Sequence, residues 1–435
     1  MSRPAAAIHG RPEGLSRCSL VGGAAAFAWV GLAALAIGVL EWLATGRPFG
    51  VRLAAKLAGL YLGAFHGAGI RLRSDLPTVG IADAPALPWS EITVQVTFLL
   101  GTGVAGAMLW RAGRRAGRAA GGGWLRRIAW GASIAPVYAV SVAAVALTVV
   151  LRLPSAGSPE VRVDPPAAGV FALLLAVVAG GAGGGRAAAE AGPPSGPWGT
   201  RLVSWLVGGW WMTMTLLVLA VAGFLVTAGV RSDVSTAYVR GVSGAGAPGV
   251  LVAGHHLLLV VNQSFLIAAP AMGGCVAVDG SGSQAIGLCL RTLTVYPGLG
   301  AWILPDVSSG EVSFPPVWLL FLLVPFGATL WGGRAASAGA RGARERSLRG
   351  AGAGVVFAAL VLIGQAASAV AVVPPTGEAI LRFGADLATV AVPALVWGIG
   401  GGVLGTLLPE PSQDPAGRSP PAGAEEDAPP RPTSV

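Results

Sequence analysis

Eight apolar stretches, each long enough to cross a lipid bilayer and set apart by short polar loops, constrain this chain more than any motif it carries. They cover 20–44, 92–110, 127–151, 167–185, 202–229, 314–333, 350–373 and 387–408. A helix needs about 20 apolar residues to traverse a hydrocarbon core roughly 30 Å thick, where every backbone polar group must be satisfied within the protein. Composition points the same way. Of the 435 residues, 54 % are hydrophobic and 11 % charged, and the mean hydropathy is +0.69; a soluble chain carries about 25 % charged residues. No polar stretch reaches the roughly 40 to 60 residues that a core of its own requires. An ordinary soluble enzyme is excluded. The expected fold class is all-α, a polytopic transmembrane bundle of eight spans, or ten under one alternative.

Basic residues near the span ends set the orientation, because cytoplasmic loops are enriched in them. Arg111, Arg114, Arg115 and Arg118 follow the second span, with Arg126 and Arg127 close behind, and Arg334, Arg341, Arg344, Arg346 and Arg349 follow the sixth. Placing both loops in the cytoplasm puts both termini inside as well. The sides then hold 18 basic and 8 acidic residues inside against 11 and 12 outside, which is the expected sign. Parity constrains two ambiguous regions, since 45–91 and 230–313 each begin and end outside. Segment 51–70, carrying Arg52, Lys56 and His66, reads as a re-entrant or interfacial helix on the outer face. Region 250–303 is either a second such element or a transmembrane hairpin with a weak half broken by Arg291 and Pro297. The first span is longer than the about 7–15 residues of a signal-peptide core and reads as a retained anchor.

The two halves look alike. FLLGTGVAGAMLW (98–110) and FLLVPFGATLW (321–331) both lead into arginine-rich loops. Trp110 to Pro154 is 44 residues and Trp331 to Pro374 is 43, while Pro154 to Gly180 and Pro374 to Gly400 are both 26. The expectation is a parallel internal repeat about an axis along the membrane normal, each copy holding one span, an outer-face element and three more spans. The layout is a cytoplasmic N-terminal segment (1–19), a first membrane repeat (20–185), a linker (186–201), a second repeat (202–408) and a Pro/acid-rich cytoplasmic tail (409–435). The tail is expected to be disordered.

Polar residues inside apolar segments are the natural candidates for function, because burying them in lipid is costly. His66 lies beside Gly59, Gly63 and Gly67, a face of small residues suited to close helix approach. Its counterpart 250–273 carries His255, His256, Asn262, Gln263 and Ser264. Two readings stand: these residues line a polar cavity where the repeats meet, or they sit hydrated among lipid headgroups. Cys275 and Cys289 bracket a Gly/Ser-bearing turn and are suited to a disulfide if that segment is a short outer hairpin. Glu41 and Glu91 lie at span ends, and Gln95 and Gln365 read as lone intramembrane amides that bond between helices. No metal-ligand spacing, phosphate loop or nucleophile–base pair is present, so no metal, cofactor or catalytic residue is expected. The arginine loops are explained by topology and by anionic lipid headgroups, without nucleic acid.

The arginine-bearing start, the Ala/Gly/Leu spans, the FLLxxxxxxxxLW-then-Arg pattern at 98–111 and the Pro/acid tail resemble the streptophobe family. These are highly hydrophobic membrane proteins of filamentous actinobacteria whose function is not established. The resemblance implies an integral membrane protein and brings no active site. The functional expectation is a non-enzymatic envelope scaffold or accessory protein of the plasma membrane, its protein partner unknown. The alternative is a permease with a polar cavity between the repeats.

Overall fold

The computed structural model describes residues 12–44, 51–73, 91–152, 159–192, 197–230, 254–255, 257–280, 283–289, 292–295, 310–313, 320–377 and 379–408. The expected tail, residues 1–11 and His256 lie outside these. Helices dominate, and they follow the apolar runs. In order they are α1 (Pro12–Ala44), α2 (Val51–Phe65), α3 (Leu99–Ala120), α4 (Trp124–Ala132), α5 (Ala135–Thr148), α6 (Pro165–Ala191) and α7 (Pro197–Val230), then α8 (Val260–Met272), α9 (Leu323–Ser337), α10 (Ala343–Ser368) and α11 (Leu387–Val396). A π-helical turn, Trp397–Gly401, carries α11 into α12 (Gly402–Gly405). The break between α4 and α5 sits just before Pro136, which has no amide hydrogen to give to a continuous helix. Among the described residues, six segments are long and apolar enough to cross a membrane: Ser16–Ala44, Trp124–Thr148, Pro165–Ala191, Gly199–Gly223, Ala343–Ser368 and Leu387–Gly405.

The all-α expectation fails at one end of the helices. Among the described residues, ten short strands form a single antiparallel sheet there: β1 (Ile70–Arg73), β2 (Glu91–Gln95), β3 (Val150–Arg152), β4 (Glu160–Val163), β5 (Cys275–Gly280), β6 (Ser283–Cys289), β7 (Thr292–Val295), β8 (Gly310–Ser313), β9 (Val370–Val373) and β10 (Leu381–Ala385). The order across the sheet is β3-β4-β1-β2-β9-β10-β5-β6-β7-β8. Most strands are direct extensions of helices, so antiparallel helices deliver them to the same side. β3 follows α5, β4 precedes α6, β9 follows α10 and β10 precedes α11. The transmembrane hairpin at 250–303 is overturned, because 275–280 and 283–289 pair as a β-hairpin, and the ten-span alternative goes with it. The second predicted span also starts late. Residues 91–95 are strand, α3 begins at Leu99, and Gln95 is an exposed strand residue instead of an intramembrane amide.

The sheet contains the same quartet twice. β3-β4-β1-β2 and β9-β10-β5-β6 are each built from a hairpin paired to the strand after a short helix, and β7 and β8 extend only the second. Registers match too. Ile70 pairs with Val163 and Leu151 with Val161; shifts of 206, 222 and 219 residues carry these pairs onto Val276–Ala385 and Val370–Phe383, which are themselves partners.

Glycines set the helix crossings. A Cβ on Gly113 or Gly131 would collide with the Gly180 backbone, and one on Gly333 or Gly350 with the Gly402 backbone. Such contact requires residues without side chains. Gly23 abuts the Ile134 carbonyl and Val137, while Gly209 abuts the Ala353 carbonyl and Val356. Similar contacts recur further along: the Trp110 carbonyl meets Gly183, and the Leu330 carbonyl meets Gly405. Each half has its own core. One centres on Phe65, Leu109, Ile134 and Tyr138, the other on Met212, Leu216, Phe357 and Val361.

Candidate functional site

The polar residues singled out in the sequence are drawn into the seam where the halves meet beside the sheet, and into the packing around it. α2 is short and buried along most of its length, and it lies across the sheet-side ends of its neighbours, with Gly59 against Val149, Gly63 against Val163 and Phe65 against Gly101. This buries Tyr61 and His66. His66 is 4 % exposed and uses both ring nitrogens. Its Nδ1–H donates to the Leu62 carbonyl (2.7 Å), which leaves Nε2 to accept from the Tyr138 hydroxyl (2.9 Å). Burial lowers the His66 pKa and outweighs the carbonyl contact, so the ring is neutral at pH 7. It faces the interior of the first half.

His255 and Asn262 come from the second half but bond to the first. The Tyr61 hydroxyl donates to Glu41 (2.5 Å), so its oxygen accepts from His255 Nε2–H at 3.0 Å. Burial and the Glu41 carboxylate beside it both raise the Tyr61 pKa, and the phenol stays protonated. The His255 ring also packs near Phe98. Seven residues further on, Asn262 is 2 % exposed. Its side-chain amide donates to the Thr97 carbonyl (2.6 Å), and its oxygen accepts from the Leu99 N–H (3.1 Å). Leu99 opens α3, where amides have no partner within the helix. Asn262 therefore caps a helix of the other half. Leu258 and Leu259 pack against the first half's core beside these bonds. Gln263 is half-buried on the next position of α8.

The remaining candidates fall into three places. Glu91 lies in β2 opposite Arg73. Gln365 is fully buried and donates from Nε2 to the Phe265 carbonyl (2.5 Å), so it does join two helices, α10 and α8. Cys275 is in a disulfide, Cys18 is free, and the chain's third cysteine, Cys289, is the register partner of Cys275 across β5–β6. Arg111, Arg114, Arg115 and Arg118 of α3, Arg334 of α9 and Arg341, Arg344, Arg346 and Arg349 at the start of α10 lie toward the end of the helices away from the sheet. Glu190 there is held by Arg114, by Arg118 (2.7 Å) and by Arg186 (3.3 Å). Arg349 is bound by Glu345 at 2.6 Å, the Ala338 carbonyl and Ser204. Arg111 and Arg115 point to neither cluster. With Arg17 they rim a half-open groove of about 560 Å³ between α1 and α3.

Sequence reasoning missed Tyr61, Tyr138 and the backbone groups of Thr97 and Leu99. The tyrosines were findable: the chain has four, and these two stand inside apolar stretches, where a hydroxyl needs a partner. No group of three or more His, Cys, Asp or Glu suited to a metal occurs among the described residues. No family model, curated protein or solved structure matches the chain.

Proposed function

We propose that the protein is a non-enzymatic scaffold or accessory protein of the plasma membrane, with eight crossings, both termini cytoplasmic, and an extracytoplasmic sheet as its working face. The observation that carries this reading is the commitment of the polar seam residues to each other. His66, His255 and Asn262 each hold a hydrogen-bond partner, and three of these bonds, one from His255 and two from Asn262, tie one half to the other. Groups bonded in this way fasten a packed joint, whereas a permeation site needs polar groups left over for a solute.

Two further crossings are added to the six apolar helices. α3 leaves β2 and returns through α4–α5 to β3, and α9 leads through α10 to β9, so each travels away from the sheet as its neighbours do. Orientation is supported from both ends. A disulfide at Cys275 suits an oxidising exterior, and the arginine clusters at the far end suit the cytoplasm. The matched registers and glycine contacts support a duplicated parallel unit, since α1 and α7 both run toward the sheet. The likeness of 98–111 to the streptophobe family belongs to the same reading.

Cysteine labelling in whole cells tests it. In a Cys18→Ser background, a membrane-impermeant thiol reagent should label Arg73→Cys from outside and leave His66→Cys and Asn262→Cys untouched. Labelling at 66 and 262 that added solutes protect would replace the scaffold with the permease. Labelling of Arg344→Cys from outside would invert the topology.

A further inference from the structure

The groove between α1 and α3 combines a cationic rim with an apolar wall, and nothing in the seam accounts for it. The arginines of α3 divide between two neighbours. Arg114 and Arg118 turn to Glu190, while Arg111 and Arg115, four residues apart, line the groove toward α1 together with Arg17. All three rim arginines are exposed, and no acidic side chain pairs with them among the described residues. Below the rim the wall is Val21, Trp29 and Met108, opened by the small side chains of α1 and α3 between them. From Arg17 to Trp29 is twelve residues, or about 18 Å along a helix, close to one leaflet of a hydrocarbon core roughly 30 Å thick.

The other half lacks these cations at the corresponding positions. Gly23 and Gly209 correspond through their contacts, as do Gly113 and Gly333, and these shifts set Val203, Trp331 and Ala335 where Arg17, Arg111 and Arg115 stand. The same backbone architecture thus carries three cations in one half and none at the corresponding positions of the other. Packing does not require them.

We infer that this groove binds one anionic phospholipid of the cytoplasmic leaflet, its phosphate among Arg17, Arg111 and Arg115 and an acyl chain along Val21, Trp29 and Met108. Guanidinium groups suit a phosphate diester because their forked donors match its oxygens, and the apolar wall has no use for an anion without an acyl tail. The inference rests on the membrane orientation proposed above, and the two can fail separately, since the thiol labelling reads orientation without reference to lipid.

Native mass spectrometry of the full-length protein, released from detergent with phosphatidylglycerol or phosphatidylcholine added, supplies the test. Wild type should retain one phosphatidylglycerol at about tenfold lower concentration than phosphatidylcholine. Arg111→Gln/Arg115→Gln should abolish that preference, and Trp29→Ala should weaken retention of both lipids. Arg118→Gln should leave the preference intact while showing that the protein tolerates loss of a nearby arginine. Equal retention of the two lipids, or an unchanged preference in the double variant, would overturn the site. So would displacement of the lipid by millimolar glycerol phosphate, which would make the rim a site for a free anion.

Discussion

The first and second halves run through the same sequence of elements, yet they differ wherever a surface is presented. The first carries the arginine-rimmed groove at the end away from the sheet. The second replaces those arginines with Val203, Trp331 and Ala335, and adds β7, β8 and the disulfide of Cys275 at the sheet end. Where backbones touch, as at Gly180 and Gly402, the halves agree. Contacts between backbones tolerate no side-chain change, so they hold the common plan, whereas exposed positions are free to diverge. The difference locates specialisation at opposite ends of the two halves.

The largest test of the common plan is at the glycine crossings. Gly180→Leu and Gly402→Leu should each cost about 3 kcal/mol or more, since the added side chain drives into backbone. Thermal unfolding in detergent should register both as a steep loss of folded protein. Gly106→Leu, with open space around it, should leave the melting temperature near wild type. Loss in only one of the two crossing variants would break the equivalence. Cys275→Ser comes next. It removes a link unique to the second half and should cost about 2–4 kcal/mol under oxidising conditions, with wild type falling to the same level once reduced. If reduction leaves wild type unchanged, the link contributes nothing.

Asn262→Leu probes the joint itself. It strands the Leu99 amide and the Thr97 carbonyl, at a cost of about 1–3 kcal/mol. Hydrogen exchange should quicken at the start of α3 in the first half although the change lies in the second; unchanged exchange there would remove Asn262 from the joint. The smallest expected effect is at His66. Its folded pKa is lowered, so the folded state stays neutral while the unfolded chain takes a proton below about pH 6.5. Stability should be full above that pH and decline as the pH falls toward the lowered folded value. His66→Gln should show a flatter profile over the same range, and identical slopes would remove His66 from the pH response.

The helices were legible because a run of 20 apolar residues has few alternatives. The strands were not, although their alternation is plain once seen: Ile70-Arg71-Leu72-Arg73 and Glu160-Val161-Arg162-Val163 each place charge on one face. Segments of three to seven residues fall below the window in which periodicity is decisive. Glu91–Gln95 was further hidden because Ile92 and Val94 merge with the apolar run that follows. His255 and Asn262 were legible as unusual, but their partners include a tyrosine, a carbonyl and an amide from the far half. Only the folded packing, through the bonds of Asn262 to Thr97 and Leu99, shows that the segments carrying them are neighbours.

The sheet's continuity also imposes an order on synthesis. β2 sits mid-sheet and takes β9 as its second partner, and β9 ends 210 residues after β4 completes the first quartet. At about 5–20 residues per second, roughly 10 to 40 seconds separate the two events. During that interval the nascent first half holds an unpaired strand edge, the kind of template on which wrong partners nucleate. The segment 257–262, made midway through the wait, docks beside that edge through Asn262 and becomes its first guard.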